Sequence, residues 1–282
     1  MDKGSCLLII NSSSGRSEKR KAALLDRLND SFDSVTVEEF DGNYGENYNA
    51  AVSADKYDTV AICGGDGTFS TTLDRLQGYN GKVLFIKGGT LNDFCNSLKR
   101  DKHKADRIDI GSLNGETFNY VAAVGTFTGI GAHTDGQLKK RIGRFAYFLE
   151  VIKNAKIQRI NAQISTGSQK ISGEYTLIMV CKSRVVFGFP FNRGYCHSSG
   201  KGNILLIKSP NGFLRYIKLF ALFFRCFVLG FKKEKQSKNI SFLDFSTLSL
   251  KLSNEETACI DGEAKSLQTN NIFSIKQRKI RL

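Results

Sequence analysis

Acidic side chains are scarce where this 282-residue chain is richest in basic ones. Residues 121–282 hold 26 Lys and Arg against 9 Asp and Glu, while residues 1–120 hold 15 against 18. The net charge of +14 is therefore a slightly acidic part followed by a strongly basic one. Such asymmetry points to a polyanionic partner for the second part, a nucleic acid or an anionic bilayer; a basic surface kept for solubility is the plainer alternative. Spaced cysteine pairs are missing too. Cys6, Cys63, Cys95, Cys181, Cys196, Cys226 and Cys259 form no C-x-x-C, which argues against a zinc site or a disulfide framework. Their odd number and the lack of a signal peptide lead us to expect a reducing, cytoplasmic setting. There is no internal repeat and no low-complexity linker. No G-x-x-x-x-G-K-[ST] loop occurs, and no G-x-G-x-x-G follows a strand, so nucleotide phosphates would have to be held by another device.

What is present begins with alternation. The runs Ser5–Ile10, Ser34–Phe40, Thr59–Cys63 and Lys82–Ile86 read as strands, and Glu18–Leu28, Thr68–Leu76 and Leu91–Leu98 as helices, with a short helix over Tyr48–Ala54. Strand, polar turn and helix in repetition predict a parallel sheet covered by helices. Ligands of such sheets bind beyond the carboxyl ends of the strands, where the turns Asn11–Gly15, Gly64–Thr68 and Gly88–Asp93 fall. From Phe118 onward the texture changes to β-rich runs with short polar breaks, predicting an antiparallel sandwich or meander. Helices are expected to interrupt it at Ile142–Asn154 and Phe213–Phe231.

The turn Gly64-Gly65-Asp66-Gly67-Thr68 raises the chemical question. Each glycine loses more backbone entropy on folding than alanine does, so stability alone does not call for three of them. Glycine turns that feed helix N-termini expose rows of N–H groups that accept phosphate. Asp66 would repel phosphate unless a divalent cation lay between, so it reads as a Mg²⁺ partner; an ordinary N-cap residue is the alternative. Gly88-Gly89-Thr90-Leu91-Asn92-Asp93-Phe94 has the same build, with Asn92 and Asp93 as plain helix caps the other reading. Asn11 with Ser12, Ser13, Ser14 and Gly15 could wrap a phosphate or form a simple turn. Late in the chain, Asp261-Gly262-Glu263 follows a strand; on its own, Asp-Gly signals a hairpin turn.

Together "NSSSG", "GGDGT", "GGTLNDF" and "IDGE" resemble the diacylglycerol-kinase-like lipid kinases, a superfamily that includes sphingosine kinases and is related to NAD kinases. The likeness runs over nearly the whole chain. It implies a Rossmann-like α/β nucleotide-binding domain over residues 1–120, an antiparallel β-sandwich lipid-binding domain over 121–282, and an active site in the cleft between them. It further implies ATP held by Asn11, Ser12 to Gly15, Gly64, Gly65, Gly67, Thr68, Gly89, Thr90 and Asn92. Asp66 would hold magnesium, Asp93 would line the site, and Glu263 would be the general base. The activity implied is phosphorylation of a lipid hydroxyl, diacylglycerol first; a sphingoid or polyprenol kinase, an NAD kinase and a non-catalytic lipid-binding relative are the alternatives.

The chain departs from the family pattern at Ser70 and Thr71, where an amide and an acid are usual, and at Gly88, where proline is usual. Lys182-Ser183 replaces an Asn-Gly pair, and Lys201-Gly202 an Asp-Gly pair tied to a structural magnesium. Lys201 is expected to supply positive charge in that ion's stead. A kinase of membrane lipids must meet a bilayer. In Phe213–Phe231 the cations Arg215, Lys218 and Arg225 share one helical sector, with aromatics around the rest. A core helix with a snorkelling edge and an interfacial helix both fit. With the basic run Lys139–Arg144, this predicts peripheral association with an anionic membrane, no nucleic-acid partner, and room for a homodimer.

Overall fold

The structure, a computed structural model, describes residues 4–11, 18–40, 54–76, 78–88, 93–100, 107–126, 157–186, 189–261 and 263–279. The chain divides into two compact units, Met1–Ile108 with Arg278–Leu282, and Asp109–Gln277.

The first unit is built on a four-stranded sheet. Its strands are β1 (Ser5–Asn11), β2 (Ser34–Phe40), β3 (Thr59–Gly64) and β4 (Lys82–Lys87), all parallel, in the order β2-β1-β3-β4. Apolar runs without alternation suit strands covered on both faces, and β3 is buried at every position. Among the described residues three helices accompany them: α1 (Glu18–Asn29), α2 (Asp66–Arg75) and α3 (Asp93–Arg100). Leu28 and the half-buried Leu24 and Leu25 of α1 pack on Cys6, Leu8 and Ile10. Phe69 of α2 and Phe94 of α3 stack at 5.0 Å, and Phe85 of β4 lies 4.5 Å from Phe69. This aromatic trio ties both helices to one edge of the sheet. The expected short helix over Tyr48–Ala54 lies, except for Ala54, outside the described residues.

The second unit is antiparallel. Its strands are β5 (Arg107–Leu113), β6 (Glu116–Phe118), β7 (Val121–Gly125), β8 (Ile160–Thr166), β9 (Gln169–Cys181), β10 (Gly202–Lys208), β11 (Lys235–Gln236), β12 (Ile240–Phe245), β13 (Thr247–Leu252), β14 (Glu256–Ile260), β15 (Glu263–Leu267) and β16 (Asn270–Lys279). They form one hydrogen-bonded network of twelve strands. Strand β9 is where it forks. Residues 169–175 pair with β8 while 177–181 pair with β7, and β10 takes the other edge. One core cluster draws on both branches, with Phe118 and Phe273 in edge contact at 5.9 Å.

The expected Phe213–Phe231 helix is two pieces: α4 (Arg215–Phe223) and a π-helical segment, Phe224–Leu229. Leu219, Phe223, Cys226 and Phe227 are buried, so its later part is a core element. Ile142–Asn154 and Lys139–Arg144 lie outside the described residues. Among the described residues, no helix is long and apolar enough to cross a membrane.

Candidate functional site

In the first unit the chain leaves β1 for β2 on one side and β3 on the other, so the crevice beyond the carboxyl ends of β1 and β3 is the topological switch point. Asn11 is the last residue of β1, and its Nδ2 donates to Thr68 Oγ1 in α2 at 2.8 Å. Two motifs 57 residues apart are thereby joined across the switch point.

Gly64 ends β3, and a Cβ there would stand 2.5 Å from that of Thr68. Gly88 N–H donates to Gly64 O at 2.7 Å, and a Cβ on Gly88 would stand 2.8 Å from Gly64 Cα. Both glycines are dictated by internal crowding. Gly67 is not: a Cβ there would meet nothing within 4 Å. Glycine inside a helix is unfavourable by about 1 kcal/mol relative to alanine, and among the described residues nothing fills the room beside Gly67.

The N-cap of α2 is Gly65, in extended conformation, and no side chain caps the helix. Asp66 is thus the first helical residue rather than the cap. It is 8% exposed, with its carboxylate at the positive end of the helix. Thr71 is exposed and bonds back to Gly67 O at 3.1 Å. Asp93 is the first residue of α3 at the end of β4, although its side chain lies outside the described set. Ser12 to Gly15, Gly89, Thr90 and Asn92 also lie outside it.

Among the described residues no cluster of three His, Cys, Asp or Glu could cage a metal ion. A magnesium ion needs no such cage when substrate phosphates and water complete its shell around one or two carboxylates. One buried carboxylate beside open room at Gly67 fits an ion that arrives on a polyphosphate.

The second unit carries the other candidate group. Ile260 of β14 pairs with Glu263 of β15, so the two strands meet at a tight turn that Asp261 opens. Asp261 has φ +51°, the left-handed conformation that type I′ turns require and aspartate tolerates. Its carboxylate accepts the N–H groups of Asn119 (2.5 Å), Tyr120 (2.9 Å) and Val121 (3.1 Å), while its own N–H donates to Val121 O. Glu263 follows immediately, exposed, as the first residue of β15.

Behind this turn lies a buried charge that the motifs do not announce. Lys182, 1% exposed, donates from Nζ to Asn119 O. Burial lowers its pKa to about 8, against the pull of Asp261 and Asp109. Burial likewise raises the carboxyls of Asp261 and Asp109, opposed in each by hydrogen bonds and by Lys182. Asp109 accepts from Gly200 N–H at 2.9 Å, Ser199 Oγ at 3.2 Å and Gln277 Nε2 at 3.4 Å. His197 is kept neutral by burial, with Lys182 and Arg184 adding to the effect. Lys201, by contrast, is exposed; the Asp244 carboxyl is raised by burial and by Glu234, and Lys201 only opposes that rise. The buried ammonium of this region is Lys182, not Lys201. The one sequence signal for it is a lysine abutting the apolar run "YTLIMVC", at the place where the family pattern has asparagine.

Residues 5–117 match the family described as "Diacylglycerol kinase catalytic domain". A diacylglycerol kinase of Staphylococcus haemolyticus is 28% identical over 148 residues, 47% of this chain and 44% of that protein. One of Staphylococcus saprophyticus is 22% identical over 250 residues, 78% of this chain and 75% of that protein. The chain spans about half the length of most curated relatives it matches. A crystal structure of a diacylglycerol kinase from Bacillus anthracis superposes with a TM-score of 0.69 at 19% identity, covering 99% of this chain and 97% of that one. At that identity the likeness concerns the fold.

Proposed function

Because the chain belongs to the diacylglycerol-kinase-like lipid kinase family, we propose that it transfers the terminal phosphoryl group of ATP to the hydroxyl of a membrane lipid, diacylglycerol first. In this reading the parallel unit is the Rossmann-like nucleotide-binding part, and the antiparallel unit is the sandwich-like lipid-binding part. One observation carries the reading. The Gly64–Thr68 turn places backbone N–H groups, a buried carboxylate and unfilled room at the switch point of the sheet.

Phosphoryl transfer asks a protein mainly for positioning and charge stabilisation. The N–H groups at the start of α2 bind phosphate oxygens, helped by the helix dipole. The Asn11–Thr68 hydrogen bond fixes both side chains at the crevice, and the Thr68 hydroxyl donates to a phosphate oxygen. Ser12 to Gly15, Gly89, Thr90 and Asn92 complete the nucleotide contacts, and Asp93 lines the site. Asp66 holds magnesium, which when bound neutralises charge on the phosphates. A Glu263 carboxylate oxygen takes the proton of the lipid hydroxyl as the new O–P bond forms and the bond to ADP breaks. The protein works in the cytoplasm, peripherally on the membrane that holds its substrate.

The test is incubation of the purified chain with γ-labelled ATP, magnesium, and either diacylglycerol micelles or NAD. Label in phosphatidic acid is expected. Label in NADP would convert the reading to NAD kinase, and transfer to no alcohol would leave a binding protein.

A further inference from the structure

Eight consecutive residues, Asn211–Lys218, are exposed, and four of them are large and apolar. Phe213 is 99% exposed, Ile217 65%, Leu214 48% and Tyr216 47%. The start of α4 and the two residues before it thus hold four large apolar side chains at the surface. Apolar patches of this kind on soluble chains mark interaction sites. The turn is also firmly mounted. Leu219 is fully buried, Phe223 stacks on Phe227 at 5.6 Å, and Phe227 sits 5.4 Å from Phe191 in the core.

The surrounding charge selects the partner. Residues 208–218 contain three cations, Lys208, Arg215 and Lys218, and no carboxylate. All three are exposed. The Arg215 guanidinium lies 5.2 Å from the Tyr216 ring, and Lys218 Nζ reaches Asn211 O at 3.3 Å. Both heads therefore stay beside the apolar tip, as cations do at a headgroup layer over buried hydrocarbon. A second copy of the chain is a poor occupant, because a symmetric contact here would set Arg215 and Lys218 against their own kind.

From this we infer that Phe213–Ile217 is a wedge that inserts into the headgroup–acyl boundary of an anionic phospholipid bilayer, with Lys208, Arg215 and Lys218 gripping the lipid phosphates around it. This deepens the proposed function, on which its purpose rests: the wedge brings the chain to the surface that holds its substrate. It also divides the two sequence readings of this segment, because its first turn is interfacial and its later part is core.

The experiment is co-sedimentation of the full chain with phosphatidylcholine vesicles, with and without phosphatidylglycerol. Alongside, phosphorylation of a short-chain diacylglycerol dispersed as monomers is assayed. The wild type is expected on the anionic vesicles. Phe213→Ser with Ile217→Ser should weaken that binding by about tenfold or more, since each removes apolar area from the membrane contact. Arg215→Glu with Lys218→Glu should abolish the preference for phosphatidylglycerol. Both double variants should phosphorylate the dispersed substrate as the wild type does. Equal vesicle binding by wild type and the serine variant, or no wild-type binding, overturns the wedge. A dimer that the serine variant dissociates while vesicle binding persists also overturns it, in favour of a second copy. Failure of every form to phosphorylate the dispersed lipid, with wedge-dependent binding intact, sinks the kinase reading and leaves the wedge standing.

Discussion

The Gly64–Thr68 turn and the Asp261–Glu263 turn solve one problem, holding a carboxylate where chemistry can use it, by opposite means. In the first, the main chain does the holding. Strand and helix geometry fix Gly65 and Asp66, crowding fixes Gly64 and Gly88, and the one unexplained glycine, Gly67, borders open room. In the second, long-range charge does the holding. Asp261 is fastened by three N–H groups more than 130 residues away in sequence, and Lys182 grips the same segment from behind. A site made from local backbone tolerates changes elsewhere in the chain. A site made from buried charges depends on every partner it gathers.

The largest break in this comparison comes from Asp66→Ala. Transfer should fall below detection while the thermal midpoint stays within a few degrees, because Asp66 is a first-turn position of α2, which alanine suits as a helix former. A variant with full turnover would remove Asp66 from the metal role. Next is Glu263→Gln, an exposed and nearly isosteric change. It should keep ATP binding, read by nucleotide fluorescence, yet lose about 10²–10⁴-fold in kcat as a general base would. Unchanged kcat would move the base elsewhere.

Gly67→Ala is the sharper instrument. Among the described residues nothing opposes the added methyl, and alanine is the better helix former, so stability should hold or rise by up to about 1 kcal/mol. If polyphosphate approaches the backbone there, KM for ATP should nonetheless rise by about tenfold. A stabilised variant with unchanged KM would mean that the room beside Gly67 is idle.

These contrasts also explain what could be read in advance. Strands β1 to β4 were legible nearly to the residue because they are short, rich in β-branched and apolar residues and closed by turn residues. The turn between Ile260 and Glu263 is what its Asp-Gly dipeptide signals. Strand β5 was missed. "RIDIGSL" begins with charge, and its Asp109 is buried among partners from residues 195–200 and Gln277. The fork in β9 and the wedge ahead of Leu219 depend on which surfaces meet, and local pattern does not encode that. Lys182 illustrates the limit best. A lysine after an apolar run suggests a surface position, whereas Lys182 is buried and donates to Asn119 O, far away in sequence.

Lys182 therefore supplies the subtlest test. Its folded pKa of about 8 lies below the ordinary value of 10.5, so the native state holds this ammonium at a penalty. Between those two values the unfolded chain binds a proton that the folded chain has released, and stability rises with pH wherever the unfolded state binds more protons. Buried thiols and phenols oppose the trend, since Cys6, Cys226 and Tyr79 are pushed up to about 11, 12 and 12 and retain protons that the unfolded chain loses. The Lys182 contribution is consequently a difference. Relative to Lys182→Met, the wild type should gain stability as pH rises from about 8 towards 10.5, measured by urea unfolding across that range. The methionine variant should also lower kcat more than KM for ATP, because it loosens the segment that orients Asp261 and leaves the Gly64–Thr68 turn intact. Parallel stability curves for the two proteins would mean that Lys182 keeps its ordinary pKa in the fold, and that burial does not weigh on its ammonium.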